Sequence, residues 1–78
     1  MITPDLELDC RDQLCPMPVI ELARRIAEVD LGQVVAVVAD DAAARADVPA
    51  WCRMRGQEYV GEQAAEDGTP AYLVRRVS

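Results

Sequence analysis

The segment Gln33–Ala39 constrains the fold most, because four of its residues are valines and no polar residue interrupts them. Short, uninterrupted and β-branched apolar runs are typical of strands that are buried on both faces. The segment therefore predicts a central strand on which the other elements pack. Only three aromatic residues occur among the 78, so valine, leucine, isoleucine and alanine must fill most of the core.

A strand and a helix are predicted before this central strand. Leu6–Cys10 alternates apolar and polar residues, which is the period of a half-buried strand. A helix is expected from about Pro16 to about Val29, and Gly32 suits the left-handed position that ends it. Its buried face is marked by apolar residues at helical spacing: Val19, Leu22, Ala23 and Ile26. A strand, a helix and a second strand in this order predict a β-α-β unit with parallel strands.

The second half of the chain predicts a short helix and a hairpin. Asp47 is expected to cap this helix after a linker over 42–46, with Pro49 in the first turn and Gly56 at the end. Two strands, 57–65 and 71–77, flank an Asp-Gly turn. The order β-α-β-α-β-β predicts one α+β domain, residues 1–78, with two helices on one face of a sheet.

Chemistry is predicted at the motif Cys15-Pro16-Met17-Pro18. Pro16 and Pro18 fix the start of the first helix, because the amide that proline lacks has no intrahelical partner in a first turn. Cys15 then lies at or just before that turn. The positive end of the helix dipole and the free N–H groups there favour the thiolate, which is the reactive form. We therefore expect Cys15 to be a reactive, exposed thiol.

The composition excludes several classes of function. The formal net charge of −6 argues against nucleic acid and anionic membranes as partners. No apolar run approaches the roughly 20 residues that span a bilayer, and the acidic start does not resemble a secretory signal, so we expect a cytoplasmic protein. With no histidine and three cysteines that form no C-x-x-C pair, neither a metal site nor a closed disulfide framework is expected. A chain this small and acidic is expected to be a monomer.

Together these motifs resemble the TusA/SirA-like family of small sulfur-carrier proteins over nearly the whole chain. The resemblance rests on Cys-Pro-x-Pro at the first helix and on Asp40-Asp41 after the second strand. It also rests on Asp47-Val48-Pro49 followed by an aromatic residue and Cys52, and on Gly56 before the hairpin. Each motif is weak alone, and their order and spacing together are specific.

The resemblance implies a two-layer α/β sandwich with a mixed four-stranded sheet. It also implies that Cys15 carries sulfur as a persulfide, with no other cofactor. The sulfur would come from a cysteine desulfurase or another persulfide donor and pass to an acceptor protein, toward tRNA thiolation, molybdenum-cofactor metabolism or sulfur oxidation. Arg24 matches a basic residue of the family's first helix and would face an acidic partner or steady the anionic persulfide. Such a carrier is of the sulfurtransferase type, whether or not it counts as an enzyme.

Two positions depart from the family pattern. The family usually has glycine where this chain has Asp12, and a negative charge there would raise the pKa of the nearby thiol. Cys10, five positions before the carrier cysteine, is the other. Cys10 is expected on the buried side of its strand, with a resolving thiol for Cys15 as the alternative.

The remaining candidates have plainer interpretations. Cys52 shares a helical face with apolar residues and is expected in the core. Asp40 and Asp41 are expected in a solvated turn, since adjacent residues leaving a strand point in different directions. Arg24 and Arg25 suit the wet side of an amphipathic helix.

Two other functions stay open at this point. A redox protein would use Cys10 and Cys15 as a reversible disulfide. A non-catalytic interaction module would keep the fold and dock a regulator through Arg24 and Arg25. A sulfur carrier through Cys15 is the leading hypothesis, and it needs no base of its own if the helix terminus supplies enough thiolate.

Overall fold

A mixed four-stranded sheet runs through the molecule, with both helices on one of its faces. A computed structural model describes all 78 residues. The elements are β1 (Leu6–Asp9), α1 (Met17–Arg25), a 3-10 turn (Ile26–Glu28), β2 (Val34–Val38), α2 (Ala44–Arg55), β3 (Glu58–Ala64) and β4 (Pro70–Arg75). The predicted order β-α-β-α-β-β and the α+β fold class are confirmed. Neither helix has the length and apolar character needed to cross a membrane.

The valine-rich strand β2 occupies the interior of the sheet, whose strand order is β1-β2-β4-β3. It pairs in parallel with β1, Leu6 lying opposite Val35, and antiparallel with β4, Val38 lying opposite Ala71. All five residues of β2 are buried. The predicted central strand and the parallel β-α-β unit are both confirmed.

The main core lies between the sheet and the helices. Leu22 of α1 and Val48 of α2 are fully buried there against Val35 and Tyr72. The opposite face of the sheet carries a smaller cluster: Val34, Ala36, Val38, Ala71 and Leu73. Ile2 packs on that cluster, and its backbone N–H and C=O both pair with the side chain of Gln63, at 3.0 and 2.7 Å. The N-terminal segment therefore covers part of the face that no helix covers.

The second helix begins earlier than predicted, so the assignment of Asp47 as its cap was wrong. The residues predicted as a linker are rich in alanine, the best helix former, and α2 already begins at Ala44. Asp41 ends the preceding loop: its carboxylate accepts the N–H of Ala43 at 3.1 Å and its carbonyl accepts the N–H of Ala44 at 3.0 Å. Pro49 consequently lies inside the helix, and the Asp47 side chain makes no capping hydrogen bond.

The first helix begins close to the predicted position. Pro16 is the flanking N-cap residue, and Pro18 lies in the first helical turn and is buried. Because β1 and β2 are parallel, each is followed by a helix that starts at the same end of the sheet. The carboxyl ends of neighbouring parallel strands are a common place for functional sites, and Cys15 lies at this end.

Candidate functional site at Cys15

Cys15 is exposed, and carboxylates of the neighbouring loop hold the segment that carries it. The backbone N–H of Cys15 donates to Oδ2 of Asp41 at 2.7 Å. The N–H of Asp12 donates to Asp40, at 3.1 Å to Oδ1. Asp40 and Asp41 thus tie the loop after β1 to the loop after β2. The hydrogen bonds donated to Asp41 by Cys15 and Ala43 hold the pKa of its carboxyl below the usual range.

The sequence interpretation missed this role of Asp40 and Asp41, which it assigned to a solvated turn. The signal was present: both acids directly follow a strand that runs parallel to the strand before the cysteine loop. Acids at the end of one such strand are placed to accept backbone N–H groups from the loop that follows its neighbour. The different directions of the two side chains argue against one joint site, but they do not argue against two separate anchors.

Asp12 turns the same loop through a left-handed backbone conformation. Its φ of 65° lies where glycine is favoured and where aspartate is among the better tolerated alternatives. Glycine, which the family usually has at this position, fits because the backbone requires positive φ there. The conformation explains why glycine and aspartate are both compatible with the turn.

The thiol of Cys15 donates a hydrogen bond to the carboxylate of Asp47, with Sγ and Oδ2 2.8 Å apart. This contact raises the pKa of the Cys15 thiol, with smaller contributions from desolvation and from the charges of Asp47 and Asp41. The start of α1 was expected to favour the thiolate, whereas the Asp47 hydrogen bond and these charges oppose it in the free protein. The charge that opposes thiolate formation belongs to Asp47 and Asp41, and Asp12 is not among its causes.

An apolar groove of about 290 Å³ opens beside the thiol, between the two helices. Pro16 and Val19 of the first helical segment line one side. Ala50, Trp51 and Met54 of α2 line the other, with Asp47 next to Cys15. Met54 is 79% exposed although its side chain is large and apolar. The groove thus combines one nucleophile, one carboxylate and an uncovered apolar surface.

The other two cysteines lie in the core. Cys10 and Cys52 are 0% and 1% exposed, and neither forms a disulfide. Burial raises the pKa of both thiols, that of Cys52 to about 11. The predicted burial of Cys10 and Cys52 is confirmed. Cys10 does not line the groove, and its enclosed thiol, whose pKa is raised by burial, is poorly suited to resolve a disulfide with Cys15.

Arg24 lies away from Cys15. It stands near the end of α1, where roughly 10 Å of helix axis separates it from Met17, and it pairs with Glu21 at 3.4 Å. Its side chain is 71% exposed, and it does not line the groove. A direct effect of Arg24 on a persulfide at Cys15 is therefore not what the geometry supports. Docking of a partner by Arg24 stays a prediction.

No cluster of three or more histidine, cysteine, aspartate or glutamate side chains has the arrangement needed to hold a metal ion. The site therefore consists of the Cys15 thiol, the Asp47 carboxylate, the two anchoring acids and the apolar groove.

Comparison with known proteins identifies the family to which this site belongs. The family model described as sulfurtransferase TusA matches residues 6–76.

The chain belongs to the TusA family. It is 39% identical over 77 residues to the sulfur carrier protein TusA of Pseudomonas syringae pv. syringae, covering 99% of this chain and 90% of that one. It is 36% identical over 75 residues to the sulfur carrier protein TusA of Pseudomonas savastanoi pv. phaseolicola, covering 96% and 88%. The resemblance inferred from the motifs is confirmed.

The TusA-family assignment agrees with the fold. The crystal structure of a SirA-like protein from Desulfitobacterium hafniense superposes with a TM-score of 0.77 at 23% identity, covering 94% of this chain and 99% of that one. At this level of identity the match supports the fold alone. The two-layer sandwich that the resemblance implied is confirmed.

Proposed function

We propose that this TusA-family protein carries sulfur as a persulfide on Cys15, between a persulfide donor and an acceptor protein. One observation carries the proposal: Cys15 is the one exposed thiol among three free cysteines, and it lies at the mouth of an apolar groove. The relatives named sulfur carrier proteins support the same role. A transient partner can seat an apolar segment beside the thiol, since exposed apolar surface commonly marks an interaction site.

The chemistry needs one nucleophile and no redox partner. The Cys15 thiolate attacks the outer sulfur of a persulfide on the donor, for which a cysteine desulfurase is the leading candidate. The donor's S–S bond breaks, its electron pair leaves on the donor cysteine sulfur, and Cys15 becomes a persulfide. An acceptor thiolate then attacks the terminal sulfur and releases the Cys15 thiolate. Each step exchanges one S–S bond for another, so no external electrons are required.

The loop that presents the sulfur is held in place by Pro16, Pro18, Asp12 and Asp41. The protein would act as a monomer in the cytoplasm, where reducing conditions keep Cys15 available. The acceptor pathway, whether tRNA thiolation, molybdenum-cofactor metabolism or sulfur oxidation, depends on which partner the groove binds.

The experiment is sulfur loading by a cysteine desulfurase and cysteine, followed by intact mass measurement without reductant. We expect wild type to gain the mass of one sulfur atom and Cys15→Ser to gain none. Cys52→Ser, whose substitution lies in the core, controls for general effects of removing a thiol, provided that it remains folded by circular dichroism. Equal sulfur gain by wild type and Cys15→Ser would show that Cys15 is not the carrier.

A further inference from the structure

The side chain of Asp47 has no hydrogen-bond or ion-pair partner other than the Cys15 thiol. It is half-buried inside α2, it caps no helix, and no arginine forms an ion pair with it. The one hydrogen bond that its side chain makes is the bond donated by Sγ of Cys15, at 2.8 Å. The Asp47 carboxylate therefore neither caps a helix nor forms an ion pair. Because it binds the reactive thiol instead, it is placed to control the reactivity of that thiol.

The charges that face Cys15 are all negative. Asp47 comes from α2 and Asp41 from the loop after β2, while the adjoining turn of α1 contributes no charge. The two arginines at this end of the sheet are engaged elsewhere, Arg11 with Asp9 and Asp67 and Arg45 with Glu62.

The remaining arginines lie at the opposite end. They stand in the last turns of the two helices, at the end of β4 and just after it: Arg24, Arg25, Arg53, Arg55, Arg75 and Arg76. The molecule therefore has an acidic end that carries the thiol and an arginine-rich end far from it. The thiol has no cation of its own.

We propose that Asp47 is a positioning residue that holds the Cys15 thiol in the free protein and releases it when a cation of the partner pairs with the Asp47 carboxylate. The site would then select sulfur donors and acceptors whose reactive sulfur is flanked by lysine or arginine. This inference rests on the proposed function, and it adds the partner's charge and the role of Asp47.

The transfer step balances with this arrangement. Pairing with a cation offsets the charge of Asp47, which favours loss of the proton from Cys15 to solvent. The resulting thiolate attacks the partner's outer sulfur and forms a new S–S bond. The partner's own S–S bond breaks, its inner sulfur leaves with the electron pair, and that sulfur takes up a proton from solution. The raised pKa of free Cys15 is consistent with a thiol that stays protonated until a partner binds.

The test uses small symmetrical disulfides of different charge, so it needs no sulfur donor. Cystamine carries amino groups, 2-hydroxyethyl disulfide is neutral, and dithiodipropionate carries carboxylates. Rates of mixed-disulfide formation at Cys15 are measured by intact mass and divided by the rates of the same reagents with glutathione. We expect wild type to prefer cystamine over the neutral reagent by roughly three- to tenfold at low salt, and to react most slowly with the anionic one.

Matched variants assign this preference to Asp47. In Asp47→Asn the preference for cystamine should fall several-fold, whereas Asp47→Glu, which keeps the charge, should retain most of it. Asp30→Asn makes the same charge change in an exposed residue before β2, at the other end of the sheet, and should leave the preference intact. An equal preference in wild type and Asp47→Asn would overturn the proposal.

A pH profile separates control of the thiol from a merely structural role. Alkylation of Cys15 by neutral iodoacetamide should have its midpoint at lower pH in Asp47→Asn than in wild type or Asp30→Asn. An unchanged midpoint would count against the proposal. If Asp47→Asn does not fold, the salt dependence of wild type alone tests the proposal. The preference for cystamine must fall as the salt concentration rises, and a preference that does not change with salt would refute the proposal.

These outcomes are separate from those of the proposed function. Failure of sulfur loading in the desulfurase experiment would refute persulfide carriage and leave the disulfide-charge preference to be judged alone. Loss of that preference, with sulfur loading intact, would refute the role of Asp47 and retain the carrier.

Discussion

Cys15 and Cys52 both have raised thiol pKa values, but for different physical reasons. Around Cys52 the cause is burial among apolar side chains, which no partner can reverse without opening the core. Around Cys15 the leading cause is a hydrogen bond to one carboxylate at an open groove, which a partner can neutralise. A raised pKa therefore marks an inert thiol in one region and a controllable thiol in the other.

The largest expected difference between the two regions is native-state reactivity. Cys15 should react with iodoacetamide directly, whereas Cys52 and Cys10 must wait for opening of the core. For a domain of ordinary stability the core thiols should react more slowly than Cys15 by a factor on the order of 10³ or greater. Peptide mapping after timed labelling measures all three rates. Comparable rates at Cys15 and Cys52 would break the comparison.

The free energy of unfolding should depend more on Cys52 than on Cys15, the reverse of the order for reactivity. Cys52→Ser places a hydroxyl in an apolar core and should lower the free energy of unfolding by about 1–3 kcal/mol. Cys15→Ser changes an exposed side chain and should stay within about 0.5 kcal/mol of wild type. Urea unfolding followed by Trp51 fluorescence compares them. A large loss in Cys15→Ser alone would mean that the thiol supports the fold.

Acid should loosen the Cys15 loop before it affects the core. The pKa of Asp41 is lowered, and that of Asp67, which anchors Arg11, is lowered to about 2, chiefly by the backbone N–H of Thr69. A carboxylate with a folded pKa below its unfolded value stabilises the fold above about pH 4. That contribution is lost as the pH falls through the folded value.

Amide chemical shifts between about pH 5 and pH 2 measure this directly. The amide of Cys15, which donates to Asp41, should titrate, while the amide of Val35 in β2 stays constant until global unfolding. Asp67→Asn should remove the acid-dependent change in the amide chemical shift of Thr69. Simultaneous movement of all these amides would show that the loop and the core respond as one unit.

The smallest expected effect concerns the backbone at Asp12. Glycine adopts the positive φ freely, so Asp12→Gly should leave stability within about 0.5 kcal/mol of wild type or raise it slightly. Alanine tolerates this conformation less well, and Asp12→Ala should cost about 1 kcal/mol. Urea midpoints for the pair decide the question. Equal midpoints for the two variants would mean that the loop does not need positive φ.

The sequence was sufficient to predict the elements and their order, because the signals were local. The valine run at 34–38, the prolines around Met17 and the Asp-Gly turn each specify a conformation from neighbouring residues. The exposure of Cys15 and the burial of Cys52 followed from helix position in the same way.

The contacts of Asp47 could not be predicted in this manner. Its place before proline suggested a cap, whereas the alanines before it extended α2 and moved it into the helix. Its contact with Cys15 then depends on how α1 and α2 pack, which residue spacing does not encode. The anchoring roles of Asp40 and Asp41 lie between these cases: they depend on two loops meeting at one end of a parallel strand pair, which the predicted β-α-β unit implies but no local pattern specifies.

The most direct test of the account is to locate the transferred sulfur. Wild-type protein is loaded by a desulfurase with isotopically labelled cysteine, trapped with iodoacetamide, digested and mapped by mass spectrometry. The account predicts labelled sulfur on the peptide that contains Cys15, and none on those that contain Cys10 or Cys52. Labelled sulfur on either core cysteine, or on no cysteine, would contradict it.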